Sequence, residues 1–211
     1  AHTNTHTNTH KHTHTNTHTH THTHTPFPVA CVQVMLYLLR MASEADEKVL
    51  LFSQSLETLT VIEEVLQQHA SSPRKEKSGG WQKGLDYLRL DGMTTSEDRD
   101  HMVESFNEPQ LKLRLFLIST KAGGQGLNLA AASRVIVFDA SWNPSNDTQA
   151  VYRAYRYGQS RPVYVYRLIS EGFEQCMYRQ QVVKLQLAGR VLDEQTLEAT
   201  YSHEELKDLW R

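Results

Sequence analysis

The chain alternates short, strongly apolar runs with longer segments whose apolar residues recur at helical spacing, and this alternation limits the folds open to it. The apolar runs are Lys48–Phe52, Tyr87–Leu90, Leu113–Ile118, Val135–Phe138 and Val163–Ile169. Each is short and typical of a strand buried on both faces. Helices are predicted for Val29–Met41, Ser55–Gln68, Thr95–Phe106, Asn146–Tyr157 and Phe173–Leu187. The pattern predicts an α/β domain with an open, mostly parallel sheet and helices on both faces.

The two ends of the chain differ from this pattern. Ala1–Thr25 is almost pure His-Thr alternation and holds nine of the twelve histidines. We interpret it as a translated CA-dinucleotide repeat, which is either disordered or an artefact of the gene model. Metal capture is the alternative, but the tract has no carboxylate or thiol co-ligands. We therefore divide the chain into a low-complexity tract (1–28), a domain with a long final helix (29–193) and a helical extension (194–211). Because the sequence starts with Ala1 rather than Met, we expect it to be a piece of a longer product.

Charge and cysteine content exclude several classes of protein. The net charge is -2, so no global charge indicates a nucleic-acid partner. Residues 153–190 nevertheless carry seven basic and two acidic side chains, which could hold a phosphate backbone or be an ordinary solvated surface. Cys31 and Cys176 are far apart without a CxxC pattern, which argues against a disulfide framework and a zinc site and fits a reducing compartment. No apolar run approaches the roughly 20 residues of a membrane span.

A glycine-rich segment, Ser119–Asn128, directly follows the third apolar run. In open parallel sheets, ligands bind beyond the carboxyl ends of the strands, so this segment lies where a ligand is expected. Gly123, Gly124 and Gly126 would let backbone N–H groups approach a phosphate or sugar. Asn128 could hold a ribose or phosphate. A tight turn without a ligand is the alternative interpretation.

Two arginines, Arg153 and Arg156, lie three residues apart in Asp147–Gln159. We predict them on one helix, where residues at that spacing share a face and both guanidinium groups can reach one target. The planar, permanently charged guanidinium suits phosphate oxygens. The alternative is a pair of ordinary surface arginines.

Other motifs leave two interpretations open. Trp142 lies in a loop after a strand, where it could stack against DNA or cap the core. Arg89 could reach a phosphate or a carboxylate, and Asp91-Gly92 favours a structural turn. The sequence has no GxxxxGK[ST] phosphate loop and no Asp-Glu pair after an apolar strand. The chain could therefore supply arginines to an ATP site but would not bind ATP competently alone.

Taken in order, these segments resemble a known family. KVLLFSQS, YLRLDGMTTSEDR, LFLISTKAGGQGLN, VIVFDASWNP, QAVYRAYRYGQ and PVYVYRLI are similar to the second RecA-like lobe of Swi/Snf-type superfamily-two ATPases, the double-stranded DNA translocases of chromatin remodelling. The resemblance covers roughly Val34–Asp193. Within the family, RAYRYGQ and RQQVVKLQLAGRVLDE resemble the alpha-thalassaemia X-linked (ATRX) remodeller group.

The resemblance implies roles for particular residues. It makes Arg153 and Arg156 arginine fingers on the ATP γ-phosphate and places Gly126, Asn128 and Gln149 beside the nucleotide. It assigns DNA-backbone contacts to Ser53, Gln54, Ser119, Thr120, Lys121 and Trp142. The long last helix resembles the brace that packs across the lobes. The implied cofactor is ATP with Mg²⁺, whose ligands are expected in a first lobe.

The resemblance also implies partners, and it has two departures. The expected partners are double-stranded DNA, nucleosomes, ATP and a first RecA-like lobe in cis, with no membrane, in the nucleus. Tyr155 stands where most of the family has His, and Gln125 where Leu is common. Neither departure removes a charged group. Two other functions remain open: an orphan lobe acting as a non-catalytic DNA- or protein-binding module, and a lobe of a single-strand RNA helicase, against which FDASWNP and YRYGQ argue.

Overall fold

The computed structural model describes residues 29–69, 80–123 and 126–193. Along the chain the elements are α1 (Val29–Glu44), β1 (Lys48–Ser53), α2 (Leu56–His69), β2 (Tyr87–Leu90), α3 (Ser96–Asn107), β3 (Leu115–Ser119), α4 (Thr120–Gly123), β4 (Ala132–Val137), α5 (Pro144–Val151), β5 (Tyr164–Arg167) and α6 (Phe173–Asp193). The five strands form one sheet in the order β2-β3-β1-β4-β5. All four neighbouring pairs are parallel. The predicted fold class is therefore confirmed.

Both faces of the sheet are buried, and the sequence of β1 explains how. Successive side chains of a strand point to opposite faces. Val49 and Leu51 accordingly join the cluster beneath α1 and α2, whereas Leu50 and Phe52 join the cluster beneath α3 and α5. All four are at most 2% exposed. Full burial of such a side chain contributes about 1.5–3 kcal/mol to stability, so the central strand requires apolar residues at these four positions.

The edge strand β5 is shorter and more exposed than the sequence predicts. The apolar run suggested a strand over Val163–Ile169, but pairing is confined to Tyr164–Arg167. Tyr164 and Arg167 are exposed. The reason is position: within the described residues β5 has a neighbour on one side only, so it is not enclosed as β1 is. Apolar composition alone did not distinguish an edge strand from a central one.

One side-chain cap marks the start of α3. Thr95 caps α3, because its hydroxyl accepts a hydrogen bond from the Asp98 N–H at 3.2 Å.

Arg89 contacts carboxylates, one of the two kinds of partner expected for it. Its guanidinium nitrogens lie 2.5 Å from Glu63 Oε2 and 3.1 Å from Asp91 Oδ2. The Asp91 side chain also accepts from the Met93 N–H at 3.0 Å, which confirms its structural role in the turn.

The end of α1 uses a residue that the sequence reading did not single out. Asp46 has a positive φ of 55°, and the Glu47 N–H donates back to the Ala42 carbonyl at 2.8 Å. This is the arrangement by which helices commonly end with one left-handed residue. It brings α1 to a stop three residues beyond the predicted Met41 and starts β1 directly afterwards.

Some predictions fall outside the described residues. They concern the His-Thr tract, the helical extension with its Ser202–Glu205 capping box, and Gln125. Within the described ranges, no helix is both long enough and apolar enough to cross a membrane.

Candidate functional site

The carboxyl ends of three central strands place most predicted site residues at one edge of the sheet. β1 ends at Ser53 and β3 ends at Ser119, and these two serines face each other in register. Asp139 follows β4 and joins β1 by accepting hydrogen bonds from it. Since parallel strands end together, this edge is the expected ligand crevice.

Ser53 and Gln54 are held by Asp139. The Ser53 hydroxyl donates to Asp139 Oδ2 at 2.5 Å, and the Gln54 N–H donates to Oδ1 at 2.8 Å. The Gln54 side chain is exposed and donates to the Ala140 carbonyl at 2.6 Å. Ser53 itself is fully buried, so its hydroxyl faces the protein. Its predicted DNA contact stays a prediction, and in this conformation Gln54 is the one of the two that reaches the surface.

Burial raises the pKa of Asp139 above the usual carboxyl value, although the hydrogen bonds from Ser53 and Gln54 act in the opposite direction. The folded protein therefore binds a proton at Asp139 more tightly than the unfolded chain does. The contribution of Asp139 to stability is largest at low pH and falls as the pH rises from the ordinary carboxyl range, near about pH 4, through the raised value.

We expect Asp139→Asn to stabilise the protein increasingly over wild type as the pH rises through that window, because asparagine accepts from Gln54 without ionising. Denaturant unfolding at pH about 4 and at pH about 8 measures this difference. Asp139→Ala is the matched control. It should lose about 1–3 kcal/mol because buried donors lose their acceptor. Equal stability of wild type and Asp139→Asn at both pH values would contradict the assignment.

The segment after β3 forms a one-turn helix that the sequence reading treated as a loop. The Ser119 hydroxyl accepts from the Ala122 N–H at 3.3 Å, which starts the turn. Ser119 is buried, Thr120 is half-buried and Lys121 is exposed. Of the three predicted DNA contacts here, Lys121 presents its charge to solvent.

Gly123 allows this turn to pack against the sheet. A Cβ added at Gly123 would lie 3.0 Å from Phe52 Cε1 and 3.1 Å from Ile118 Cγ2, tighter than ordinary contact. Gly126 has a positive φ of 64° with open space around its missing Cβ. The two glycines therefore serve different purposes: Gly123 permits close packing, and Gly126 permits a left-handed turn that leaves room for a ligand. Neither observation identifies that ligand.

The helix prediction for the arginines was wrong. The structure starts α5 at Pro144, capped by Asn143, and ends it at Val151. Arg153 and Arg156 lie in the turns beyond it, which we call the arginine loop (residues 152–159).

The physical reason is that other groups take the carbonyls that would continue the helix. The Arg153 carbonyl accepts from the Leu129 N–H at 3.1 Å. The Ala154 carbonyl accepts from the Gln159 side chain at 3.4 Å. Gln159 also donates to the carbonyls of Ala130 and Ala132, at 3.0 and 2.7 Å. The arginine loop is therefore tied to the segment that follows the glycine-rich turn as well as to the end of α5.

The two arginines differ in exposure and influence each other. Arg153 is 8% exposed, whereas Arg156 is exposed. Burial, and next the charge of Arg156, lower the pKa of Arg153; both groups stay positively charged near neutral pH because the guanidinium is not deprotonated in proteins. The backbone bond between Leu129 and Arg153 brings the neighbouring Asn128 to this loop. Gln149, also predicted to lie beside the nucleotide, is exposed on α5.

Trp142 lies at the far end of the same edge. Its side chain is 56% exposed. Lys184 of α6 places its ammonium 4.8 Å from the indole centroid and donates to the Trp142 carbonyl at 3.4 Å. The prediction left two alternatives, and the exposure shows that Trp142 does not cap the core. Lys184 covers part of its ring, and the rest of the ring faces solvent.

Sequence reasoning missed the buried polar residues that position this edge. Asp147 accepts from the Ser141 N–H at 3.3 Å and from the Gln181 side chain at 3.0 Å. Gln181 also donates to the Ser141 carbonyl. Asp147 and Gln181 are 2% and 3% exposed. They fasten α6 to the loop that carries Trp142. An acidic residue in the first turn of α5 was a visible signal for Asp147, but nothing in the sequence paired it with Gln181.

The site fits a phosphate-bearing nucleotide better than a metal. Two guanidinium groups, an open glycine turn and the exposed Asn128 suit phosphate and sugar groups. Among the described residues, no three His, Cys, Asp or Glu side chains gather into a group that could hold a metal ion.

Comparison with known proteins confirms the resemblance. A family model of the helicase conserved C-terminal domain matches residues 30–158. The human protein "Transcriptional regulator ATRX" is 47% identical over 183 residues, which cover 82% of this chain and 7% of that protein. "Protein CHROMATIN REMODELING 20" of Arabidopsis thaliana is 47% identical over 180 residues, which cover 84% of this chain and 12% of that protein. The chain thus spans a small part of these relatives.

Similarity extends to a solved structure. The crystal structure of the C-terminal part of Fun30 ATPase domain superposes with a TM-score of 0.61 and 34% sequence identity. The match covers 71% of this chain and 44% of that one. Fold and sequence therefore point to the same family.

Proposed function

The chain belongs to the helicase conserved C-terminal domain family and resembles the ATRX group, and we propose that it is the second lobe of an ATP-dependent double-stranded DNA translocase of chromatin remodelling. In this proposal ATP binds between a first RecA-like lobe and this one. The protein acts in the nucleus on duplex DNA and nucleosomes. The lobe contributes arginine fingers on one side and DNA-backbone contacts on the other.

The observation that carries the proposal is the arginine loop. Burial, and next the charge of the nearby Arg156, lower the pKa of Arg153 there. Placing two like charges together costs free energy, which an anion between them would recover. The terminal phosphate of ATP is such an anion, and its negative charge spreads over three oxygens during transfer. Arg153 and Arg156 would stabilise that charge when the lobes close.

The neighbouring residues have matching roles. Asn128 would contact the nucleotide, and the open space at Gly126 would admit it. The bond from Leu129 to the Arg153 carbonyl, 3.1 Å long, would make the nucleotide contact and the arginine loop move as one unit. Gln149 is exposed on α5, the helix that leads into the loop, and would complete the same surface.

The DNA side would lie along the carboxyl edge of the sheet. Gln54, Lys121 and Trp142 are its exposed predicted contacts. Ser53, Ser119 and Thr120 are buried or half-buried and would support the exposed three. Contacts to backbone phosphates do not depend on the DNA sequence, so we expect duplex DNA of any sequence to bind.

The experiment that tests the proposal is ATP hydrolysis by the protein that carries both lobes, with and without duplex DNA. Hydrolysis without DNA stimulation would oppose it.

We expect Trp142→Ala to reduce DNA translocation more than basal ATP hydrolysis. The indole is exposed and precedes α5, whereas the arginine loop follows that helix, so the substitution removes a DNA contact without removing a group beside the nucleotide. Displacement of a third DNA strand measures translocation, and phosphate release measures hydrolysis. Tyr37→Ala is the matched control, because Tyr37 is an aromatic of similar exposure (54%) on α1. Equal loss of both activities in Trp142→Ala would point to a structural role instead.

A non-catalytic binding module is the second candidate function. It predicts DNA or protein binding that ATP does not change.

A further inference from the structure

A cavity opens at the sheet edge opposite the predicted DNA contacts. Its volume is about 300 Å³, at the lower end of the range of small-ligand pockets. Lys48 begins β1, Arg114 precedes β3, Ala131 precedes β4, and Arg161 precedes β5. All of these are amino-terminal ends of parallel strands. The cavity is therefore separate from the carboxyl edge that carries the predicted DNA contacts, whereas Gly158 and Gln159 of the arginine loop line it.

The cavity wall is predominantly basic. Four cationic side chains and one carboxylate line it: Lys48, Lys112, Arg114, Arg161 and Asp46. The carboxylate of Asp46 forms an ion pair with Arg114. Arg161 uses one guanidinium nitrogen on the Asp46 carbonyl at 3.3 Å, which leaves most of its five N–H donors for another partner. Lys112 is exposed.

Lys48 is held in place by backbone groups. Its ammonium donates to the carbonyls of Phe106 and Glu108 at 2.5 and 3.0 Å, and an ammonium has a third donor. Burial, and next the charge of Arg114, lower the pKa of Lys48. An anion in the cavity would oppose both effects.

We propose that this cavity binds a compact phosphate-bearing anion, held by Lys112, Arg114 and Arg161 with Lys48 at the base. Arginine and lysine donors in this number suit a phosphomonoester or diphosphate group, which offers several acceptor oxygens with charge near −2. The group would come either from a phosphorylated side chain of a protein segment or from a free polyphosphate. A concave cavity of this size favours such a compact group over a DNA duplex.

The cavity contacts the same segment that anchors the arginine loop. Asn107 lines it and clamps that segment by donating to the Asn128 carbonyl at 2.8 Å and accepting from the Ala131 N–H at 3.2 Å. Gln159 also lines it and donates to the carbonyls of Ala130 and Ala132. An anion bound in the cavity would therefore restrict the motion of the arginine loop through these contacts. This regulatory effect on ATP hydrolysis rests on the proposed function, whereas the binding itself does not.

Amide chemical shifts of the full ¹⁵N-labelled chain test the binding. On titration with inorganic pyrophosphate we expect the amides of Asp46, Ala131 and Ser160 to shift. The double variant Lys112→Gln, Arg161→Gln should bind pyrophosphate about tenfold more weakly, which corresponds to about 1.4 kcal/mol. Both side chains are exposed, so the variant should fold. The control variant Arg153→Gln, Arg156→Gln should retain these shifts.

Three outcomes would overturn the site: no shifts at the three amides, equal affinity in the Lys112 and Arg161 variant, or displacement of pyrophosphate from these amides by a short DNA duplex. Loss of binding in the Arg153 and Arg156 variant alone would move the anion to the arginine loop, which would overturn this site and leave the proposed function standing. A phosphoserine peptide with neutral flanks distinguishes the sources. Tighter binding than pyrophosphate assigns a protein segment, and weaker binding assigns a free polyphosphate.

Discussion

Replacing Arg156 with alanine in the protein that carries both lobes is expected to reduce ATP hydrolysis by about 10³–10⁵-fold, the value of an arginine finger in phosphoryl transfer. Affinity for duplex DNA should stay within about twofold, because the arginine loop is separate from Gln54, Lys121 and Trp142. Single-turnover hydrolysis at saturating ATP measures the first quantity, and fluorescence anisotropy with labelled duplex measures the second. Arg156 is exposed, so the loss should not arise from unfolding.

Arg153→Ala should reduce hydrolysis similarly, but Arg153 is 8% exposed and its variant needs a stability measurement beside the kinetics. Two controls sharpen the result. Arg156→Lys keeps the charge without the planar fork and should recover only part of the rate. Arg40→Ala removes an exposed arginine of α1 and should leave the rate unchanged. Normal turnover by Arg156→Ala would refute the finger assignment.

Asp147→Ala is expected to lower the free energy of unfolding by about 2–3 kcal/mol. The substitution removes the buried acceptor of the Ser141 N–H and of the Gln181 side chain, and hydrogen bonds to charged groups contribute about 1.5–3 kcal/mol. Because Gln181 lies on α6, the loss should also release that helix from the loop that carries Trp142. Urea unfolding measures the first effect, and hydrogen exchange of the α6 amides measures the second.

The matched control is Asp147→Asn, which keeps an acceptor oxygen for both donors and should lose less than half as much. Asp98→Ala serves as a second control, since Asp98 is likewise an acid in the first turn of a helix, α3, but is exposed. If Asp147→Ala and Asp98→Ala cost the same, the effect comes from the helix dipole and not from the buried contacts with α6.

The sequence predicts an element of the fold when the contacts that fix its start and end join residues close together in the chain. The strand β1 was readable because four consecutive residues are apolar, and the cap of α3 because Thr95 and Asp98 are three residues apart. The end of α5 was not readable. It depends on Leu129 and Gln159, which take carbonyls that a local pattern assigns to the helix.

The candidate site shows the same division. Motif spacing identified Arg153, Arg156, Asn128 and Trp142 as functional candidates. It did not identify Asp139, whose carboxylate joins β1 to the end of β4 across 85 residues of sequence. Nor did it show that Ser53 is buried. A motif gives the type of residue at each position, whereas burial and orientation depend on elements brought together by the sheet.

Displacement of a third DNA strand from a duplex by the full protein tests directly whether this lobe belongs to a DNA translocase. ATP-driven displacement requires both hydrolysis and movement along duplex DNA. We expect displacement with ATP, none with a non-hydrolysable analogue, and none in Arg156→Ala although that variant still binds duplex. Duplex binding without displacement under all of these conditions would refute a DNA translocase and favour a binding module.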